Sequence, residues 1–334
     1  MGYSRHDDAI YTARLADHKA RGTDPFVHTA RVAHGTAPKA AHDLLDPKKA
    51  NKVGKIIRES LDSDLSPNSR AVAVFFDVTG SMLTVPRTFA LKLATLMAAL
   101  VKKNFIPDPH ILFGAVGDAY SDRVPLQIGQ FEAGNEMDDA LTNIFLEGSG
   151  GAQDMESYDL ALYFIARHTT IDCWEKRGQK GYLFILGDER LYPVVKASQV
   201  NDIIGDGLQD DIPVEQIIEE VKKKWNVFWI MPGGTNHWGD HAVIDPMRKL
   251  WGQNFLLLEN PDDVCELIIS TIGVTEGYDL HDVGKALKDV GADADAIGRT
   301  GSALVSYAKS ASVTRAAVAT GSLVEAGKDD VSRL

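Results

Sequence analysis

The chain has 334 residues, of which 44% are hydrophobic and 25% charged, and its formal net charge is −12. This composition is typical of a globular protein, and the length suits one large α/β domain with extensions or two ordinary domains. The acidic balance disfavours a nucleic-acid-binding surface, and two cysteines, Cys173 and Cys265, are too few for a disulfide framework or a zinc site. No run is apolar enough to span a bilayer, and the first residues lack an apolar signal core, so we expect a cytoplasmic protein without a membrane partner.

Residues 1–70 are polar and contain no apolar run typical of a strand. Asp46 and Pro47 are typical of a helix start, and apolar residues then follow at helical spacing: Val53, Ile56, Ile57 and Leu61. We therefore predict a helical N-terminal extension over this region.

Residues 71–273 alternate apolar runs with amphipathic segments. The predicted strands are 71–78, 110–118, 124–131, 181–188, 226–233 and 254–260. The predicted helices are 86–103, 157–168, 212–224 and 261–272. Because 71–78 is apolar throughout, it is expected to be a central strand covered on both faces. The alternation predicts a doubly wound, mostly parallel α/β sheet flanked by helices, which is a Rossmann-like architecture.

Residues 274–334 lose the strand pattern and are low in aromatic side chains. Helix-like stretches at 280–290 and 304–308 lie in a background of small residues. The sequence therefore predicts a helical, partly flexible C-terminal tail.

Carboxylate and hydroxyl side chains follow the predicted strands at the point where each strand ends. Asp77, Thr79 and Ser81 come after the first strand, and Asp188 closes the strand at 181–188. The loop 147–157 brings glycines, and then a second group of oxygen ligands: Asp154, Glu156 and Ser157. Ligands of open α/β sheets bind outside the carboxyl ends of the strands, and an all-oxygen donor set suits Mg²⁺, Ca²⁺ or Mn²⁺ rather than zinc.

These motifs resemble the metal-ion-dependent adhesion site of the von Willebrand factor type A domain. Asp77-x-Thr79-x-Ser81 is similar to that family's first motif, with threonine in place of the first serine. Asp188 matches the position of the third motif. The second motif normally supplies a threonine, and Ser157 or the adjacent Glu156 stands at the matching position. The resemblance covers roughly residues 70–273.

The resemblance implies a protein-interaction module, not an enzyme. Its metal would be Mg²⁺, with Ca²⁺ or Mn²⁺ as alternatives, held by Asp77, Thr79, Ser81 and Asp188 with Ser157 or Glu156. One coordination position would stay open for an Asp or Glu of the partner protein. By analogy with intracellular bacterial or phage members, the protein would be an adaptor or assembly component, and a MoxR-type AAA+ ATPase is a candidate partner. The helical ends could fold onto the domain or pair with other copies in an oligomer.

Two alternatives stay open. Asp77-Val-Thr-Gly-Ser also resembles the phosphorylation motif of haloacid-dehalogenase-like phosphotransferases, with Asp77 as nucleophile, and 205–211 resembles their magnesium loop. Against this interpretation, the segment before Gly205 is helix-like rather than strand-like, and no lysine lies clearly at a strand end. The other alternative is that the motif is a turn with capping side chains, in a domain that keeps the fold without a metal.

Further polar residues lie at two other strand ends. His237 and His241 are interpreted as part of a polar loop, because Gly239 interrupts the helix that a zinc pair at this spacing needs. Asp118 and Asp122 are predicted to lie behind the metal ligands or on a loop that faces the partner. The residues 235–238 are expected to line the rim of the metal face.

Overall fold

A six-stranded sheet forms the centre of the molecule. A computed structural model describes residues 6–51, 54–148 and 154–329. From one edge to the other, the strands are β12 (Phe255–Leu258), β11 (Trp225–Pro232), β7 (Gly181–Leu186), β2 (Ser69–Asp77), β3 (Asp108–Val116) and β4 (Leu126–Ile128). All neighbours are parallel except β4, which is antiparallel to β3. This confirms the predicted doubly wound, mostly parallel α/β architecture.

Helices cover both faces of the sheet, as the apolar strands require. All residues of β2 are buried, so it is the central strand that its sequence predicts. On one face pack α1 (Asp8–Arg21), α3 (Thr84–Lys102), α4 (Glu136–Thr142), α10 (Val264–Thr275), α11 (Leu280–Asp289) and α12 (Ala294–Asp329). On the other pack α5 (Tyr158–Arg167), α6 (Asp172–Glu175), α8 (Val214–Lys224) and α9 (His241–Trp251).

Short elements complete the fold. Helix α2 (Val27–Ala33) follows α1, and α7 (Ala197–Gln199) continues into a π-helical turn at Val200–Ile204. Three strand pairs lie outside the main sheet: β1 (Arg58–Ser60) with β6 (Thr169–Ile171), β5 (Met155–Glu156) with β8 (Arg190–Leu191), and β9 (Val194–Val195) with β10 (Ile212–Pro213). Turns of 3₁₀ helix are at Gly80–Leu83, Gly252–Asn254 and Pro261–Asp263.

The helix predicted after Asp46 is wrong. Where it is described, the segment 47–57 consists of turns and irregular chain, and the β1 strand that follows it pairs in parallel with β6. The cause is Arg58, whose buried guanidinium donates hydrogen bonds to the carbonyl oxygens of Asp46, Lys49, Ile128 and Gly129. Buried polar groups need such partners, so these long-range bonds override a helical spacing of apolar residues. Val53, which was part of that spacing, lies outside the described residues.

Smaller differences concern where helices begin and end. Helix α8 begins at Val214 and not at 212, because Ile212–Pro213 pairs with β9. The stretch before His241 is a loop, as predicted, with Gly239 at φ +84°. The helix α9 that follows was not predicted; Asp240 caps it by accepting from the Ala242 amide, 2.8 Å away.

The N- and C-terminal regions share the core of the sheet domain. Tyr11 and Phe26 are buried in it, and so is Leu304 of α12. The rings of Tyr307 and Phe228 meet edge to face with centroids 5.1 Å apart. The predicted helix at 280–290 corresponds to α11, and 304–308 lies inside α12. The boundaries at 70 and 273 stay a prediction, and residues 1–5 and 330–334 lie outside the described part.

The two edges of the main sheet differ. At the β4 edge the Ile128 amide donates to the Leu45 carbonyl at 2.7 Å, and Arg58 covers the Ile128 carbonyl. At the β12 edge, no strand of the described chain pairs on the outer side.

Among the described residues no single helix is long and apolar enough to cross a membrane; one bent pair, Gly80–Leu93 with Thr95–Val101, has the length and composition of a broken span.

Candidate metal centre

The candidate site lies at the carboxyl ends of β2 and β7. These strands are parallel neighbours, with Phe76 opposite Leu186, so the aspartates that follow this pair, Asp77 and Asp188, come to the same edge. The first turn of α5 and the loops after β3 and β11 reach the same place. The expectation that side chains at the carboxyl ends of parallel strands lie together is therefore correct for Asp77 and Asp188.

Asp77 is fully buried and its carboxylate is held by three donors. Its Oδ1 accepts from the Thr79 amide at 2.8 Å and from Thr79 Oγ1 at 2.5 Å, and its Oδ2 accepts from the Tyr158 hydroxyl at 2.6 Å. The backbone bond to Thr79 is an Asx turn, so the turn interpretation of this motif is correct for that part. The hydroxyl of Thr79 does not cap the following helical turn, because it donates to Asp77.

Tyr158 was not among the predicted site residues. Its hydroxyl reaches Asp77 across Gly187, where a Cβ atom would lie 2.2 Å from the Tyr158 oxygen. The ring packs edge to face against Trp229, with centroids 4.6 Å apart. Gly187 is thus required by the close approach of a side chain, and a glycine immediately before Asp188 is the only sequence signal of this contact.

Ser81 joins the strand end of β7 to the loop after β11. Its hydroxyl donates to Asp188 Oδ2 at 3.2 Å and accepts from the Asn236 amide at 3.1 Å. The His237 amide also donates to Asp188 Oδ2, at 3.3 Å. These bonds place the predicted rim residues against Ser81 and Asp188.

Glu156 is completely buried, and neither of its carboxylate oxygens has a hydrogen-bond partner. It lies in β5, at the start of α5, and its charge interacts with those of Asp77, Glu189, Asp118 and Asp122. Its neighbour Ser157 is buried as well, but the Ser157 hydroxyl accepts from the Ala119 amide at 2.9 Å. Of the two residues proposed for the second motif, Glu156 has free oxygens and Ser157 holds the loop after β3.

That loop supplies two further buried or half-buried carboxylates. Asp118 accepts from the Tyr192 hydroxyl at 3.1 Å and from the Ser121 hydroxyl at 3.0 Å. Asp122 accepts from the Asp118 amide at 2.8 Å. Asp118 and Asp122 therefore organise the loop that binds Ser157, and both predicted places for them, behind the metal ligands or on a loop that faces the partner, stay predictions.

The site concentrates negative charge, and among the described residues the basic side chain paired with it is His237, whose Nε2 lies 4.0 Å from Glu189 Oε1. In the described chain no lysine or arginine forms an ion pair with any of its carboxylates: Asp77, Asp118, Asp122, Glu156, Asp188 or Glu189. Burial raises the pKa of Glu156, and the charge of Asp77 raises it further. Burial raises the pKa of Asp77, and burial with the nearby Asp77 and Asp188 raises that of Glu189 to about 8. Such shifts mark a site that favours either protonation or a bound cation.

The polar side chains of this cluster offer only oxygen atoms, which are the donor type of hard cations. No group of three His, Cys, Asp or Glu side chains in the described ranges is arranged to hold a metal ion, so a cation here would also need hydroxyl oxygens. The orphan oxygens of Glu156 and the Ser81–Asp188 pair supply oxygen ligands of the kind that Mg²⁺ prefers. The remaining predicted loop residues Gly150 and Gly151 lie outside the described residues.

The segment 205–211, which resembles the magnesium loop of the phosphotransferases, does not lie next to Asp77. Asp206 accepts from the Tyr163 hydroxyl and lies 3.2 Å from His168 Nε2, beyond the C-terminal end of α5. Asp77 is bound at the N-terminal end of the same helix, by Tyr158. The 10 residues of α5 separate the two motifs by about 15 Å.

Comparison with known proteins gives fold-level likenesses only. No family model matches the chain, and no curated protein matches it. Among solved structures, a von Willebrand factor type A protein from Catenulispora acidiphila is similar over 63% of this chain and 43% of its own, with 14% identity and a TM-score of 0.37. The pilus adhesin SpaC from Lactobacillus rhamnosus GG, in its open conformation, is similar over 69% of this chain and 31% of its own, with 10% identity and a TM-score of 0.38. The chain thus spans less than half the length of these proteins, and what it is similar to at this level is a sheet architecture.

Proposed function

We propose that the strand-end cluster binds a divalent cation and that the protein is a metal-dependent interaction module of the von Willebrand A type. The observation that carries the proposal is Glu156, a completely buried carboxylate with two unpartnered oxygens among other acids. Buried charges in proteins are paired or coordinate metals, and in the described chain no lysine or arginine forms an ion pair with Glu156 or with the acids that surround it. A cation would supply the missing positive charge.

The cation, proposed as Mg²⁺ with Ca²⁺ or Mn²⁺ as alternatives, would be held by Glu156, Ser81 and Asp188. Asp77 would act through Thr79, since its oxygens already accept from Thr79 and Tyr158. A metal of this kind supplies a Lewis-acidic position that a carboxylate of a partner protein can fill. The chain's own groups fix that position: Asn236 and His237 hold Ser81 and Asp188 from the rim.

The partner is proposed to be a protein that presents Asp or Glu to the site. A net charge of −12 would otherwise repel such a partner, so the cation would decide the specificity of binding. By the resemblance to intracellular bacterial or phage relatives, we propose an adaptor or assembly role in the cytoplasm, with a MoxR-type AAA+ ATPase as a candidate partner and no catalytic activity of its own.

Calorimetric titration of the full chain with Mg²⁺ and with Mn²⁺ tests the metal. We expect one site in the wild type and at least tenfold weaker binding in Ser81→Ala and Glu156→Gln. Ser198→Ala is the matched control, because Ser198 is exposed and lies in the short helix α7 outside the cluster. Absence of binding to the wild type, or equal affinity in all variants, would contradict the proposal.

Affinity capture tests the interaction. Wild type and Ser81→Ala are each used as bait for a purified MoxR-type ATPase from the source organism, in Mg²⁺ and in chelator. We expect capture only by the wild type in Mg²⁺. Capture that is the same in all four conditions would show that the metal face is not the binding surface.

A further inference from the structure

The outer edge of β12 presents unpaired backbone groups. The carbonyl of Leu258 accepts from the Gly233 amide, 2.6 Å away, so Leu258 faces β11. Backbone groups alternate in direction along a strand, which places those of Phe255, Leu257 and Glu259 on the outer side. Phe255 donates back to the Gly252 carbonyl, whereas no described strand pairs with Leu257 on this side. An open edge of this kind is a template for pairing with another strand.

This edge forms the floor of an open groove of about 740 Å³. The groove is also lined by Trp238, by Arg248 and by Ser302 and Ser306 of α12. The Trp238 side chain is 37% exposed, which is unusual for a large aromatic residue and typical of an interface anchor. The groove thus combines backbone donors and acceptors with an aromatic side chain.

Two opposite charges lie in the groove without partners. Arg248 and Glu259 are both exposed, and neither forms an ion pair in the described ranges of the chain. The other guanidinium of the groove, that of Arg299, is neutralised by Asp263 at 2.5 Å. Glu259 follows the last residue of β12, and Arg248 lies one helical turn before Gly252, near the strand's first residue. The two charges therefore lie toward opposite ends of one short strand.

We propose that two copies of this chain pair through β12, antiparallel, about a two-fold axis at Leu257. In this arrangement the two Leu257 residues exchange backbone hydrogen bonds, and Glu259 of each copy comes opposite Phe255 of the other. The two-fold axis then brings Glu259 of one copy to the strand end where Arg248 of the other lies, and it does so twice. A self-complementary patch of this kind is what an isologous dimer interface requires.

An extended segment of a different protein could use the same backbone edge. Binding of such a segment would not require a positive charge at one end of β12 and a negative charge at the other. In a symmetric pair of copies, by contrast, Arg248 and Glu259 of one copy face Glu259 and Arg248 of the other. A four-residue strand buries little area by itself, so the walls of the groove, with Trp238, would have to contribute the rest of a stable interface.

Sedimentation equilibrium of the full chain over a hundredfold range of concentration tests this dimer. We expect a monomer–dimer equilibrium, with the dissociation constant raised tenfold or more in Glu259→Arg and in Arg248→Glu and restored within threefold of wild type in the double variant. Leu257→Pro, which removes the central backbone donor, should abolish the dimer. Glu215→Arg, exposed on α8, is the matched control and should leave the constant unchanged.

Circular dichroism and the thermal midpoint of each variant establish that it is folded, and the charge variants keep the test valid if Leu257→Pro does not fold. A wild type that stays monomeric at all concentrations would overturn the proposal. So would a double variant that is as weak as the single ones, or a dimer that is indifferent to every one of these substitutions.

Discussion

Strand β2 runs between two aspartates that are held in opposite ways. At its amino end Asp62 accepts from the Ser69 amide and hydroxyl, at 3.1 and 2.7 Å, and Arg177 donates to both of its oxygens, at 2.7 and 3.2 Å. At its carboxyl end Asp77 is bound only by neutral donors, Thr79 and Tyr158, and lies among further carboxylates.

The pKa values of the two carboxyls diverge accordingly. Burial raises the pKa of Asp62, but hydrogen bonds from Arg177 and Ser69 and the guanidinium charge outweigh burial and hold that pKa well below its usual range. Burial raises the pKa of Asp77, and the charge of Asp188 adds to it against the hydrogen bonds that lower it. The comparison teaches that charge at the amino end is compensated by an arginine of the chain, whereas the carboxyl at the other end has only neutral hydrogen-bond donors, which favours its protonation or the cation proposed above.

Arg177→Met should have the largest effect on stability. We expect the free energy of unfolding to fall by roughly 2–3 kcal/mol at neutral pH, because Asp62 then loses its main counterion while half-buried. A carboxylate with a lowered folded pKa stabilises above its unfolded pKa of about 3.9, and this contribution is lost as the pH falls below it. The deficit of the variant should therefore shrink at low pH in urea denaturation.

Lys176→Met is the control for that experiment. Lys176 lies 3.3 Å from Asp62, but its side chain is 56% exposed and screened by water, so its loss should cost much less stability than the loss of Arg177. Equal losses from the two variants would show that the amino end is not stabilised by a specific ion pair.

Tyr158→Phe, at the carboxyl end of β2, should lower the stability of the fold by an intermediate amount. The phenyl ring keeps the contact with Trp229, but Asp77 Oδ2 loses its donor, which should cost roughly 1–2 kcal/mol in thermal or urea unfolding. Tyr192→Phe is the comparison, because the Tyr192 hydroxyl binds Asp118 at the edge of the cluster and is less buried. A larger loss from Tyr192→Phe would contradict the central position given to Tyr158.

Glu156→Gln should have the smallest effect on the free energy of unfolding, and this effect should be stabilising. In chelator, we expect the free energy of unfolding to rise by about 1 kcal/mol, because glutamine removes the cost of burying or protonating an uncompensated carboxyl. In millimolar Mg²⁺ the advantage should vanish, since the cation stabilises the wild type by an amount that grows with the logarithm of its affinity. Glu215→Gln should change nothing in either buffer. A destabilised Glu156→Gln protein in chelator would argue against an uncompensated cluster.

The fold was predictable where the sequence pattern is local. The apolar runs that form β2, β7 and β11 are continuous, and the turn residues that follow them fixed the place of Asp77 and Asp188. What failed was the segment after Asp46, because its conformation depends on Arg58 binding carbonyls of β4 and of the loop before it. No periodicity in the segment reveals partners that are about seventy residues away.

Most acids of the cluster were predictable from the sequence, but the hydroxyl group of α5 that holds Asp77 was not. Asp77, Ser81 and Asp188 follow strand ends, and Glu156 precedes a helix that returns to them. Tyr158 was not predicted, because its contact with Asp77 depends on the space that Gly187 leaves open. That space is a property of the packing and not of the spacing of residues along the sequence. Glu189 was also missed, although it adjoins Asp188, since an exposed position after a strand is the usual expectation for a glutamate.

The closure of the β4 edge limits how this sheet can assemble. Leu45 and Arg58 occupy the backbone groups of Ile128, so that side of the molecule offers no strand-pairing surface at this residue. A sheet with one open edge can be extended once, by a copy that turns its own open edge inward. Both outer edges of such a pair are then of the closed kind. In the proposed dimer, the occupied backbone groups of Ile128 would therefore disfavour growth beyond two subunits by strand pairing at this edge.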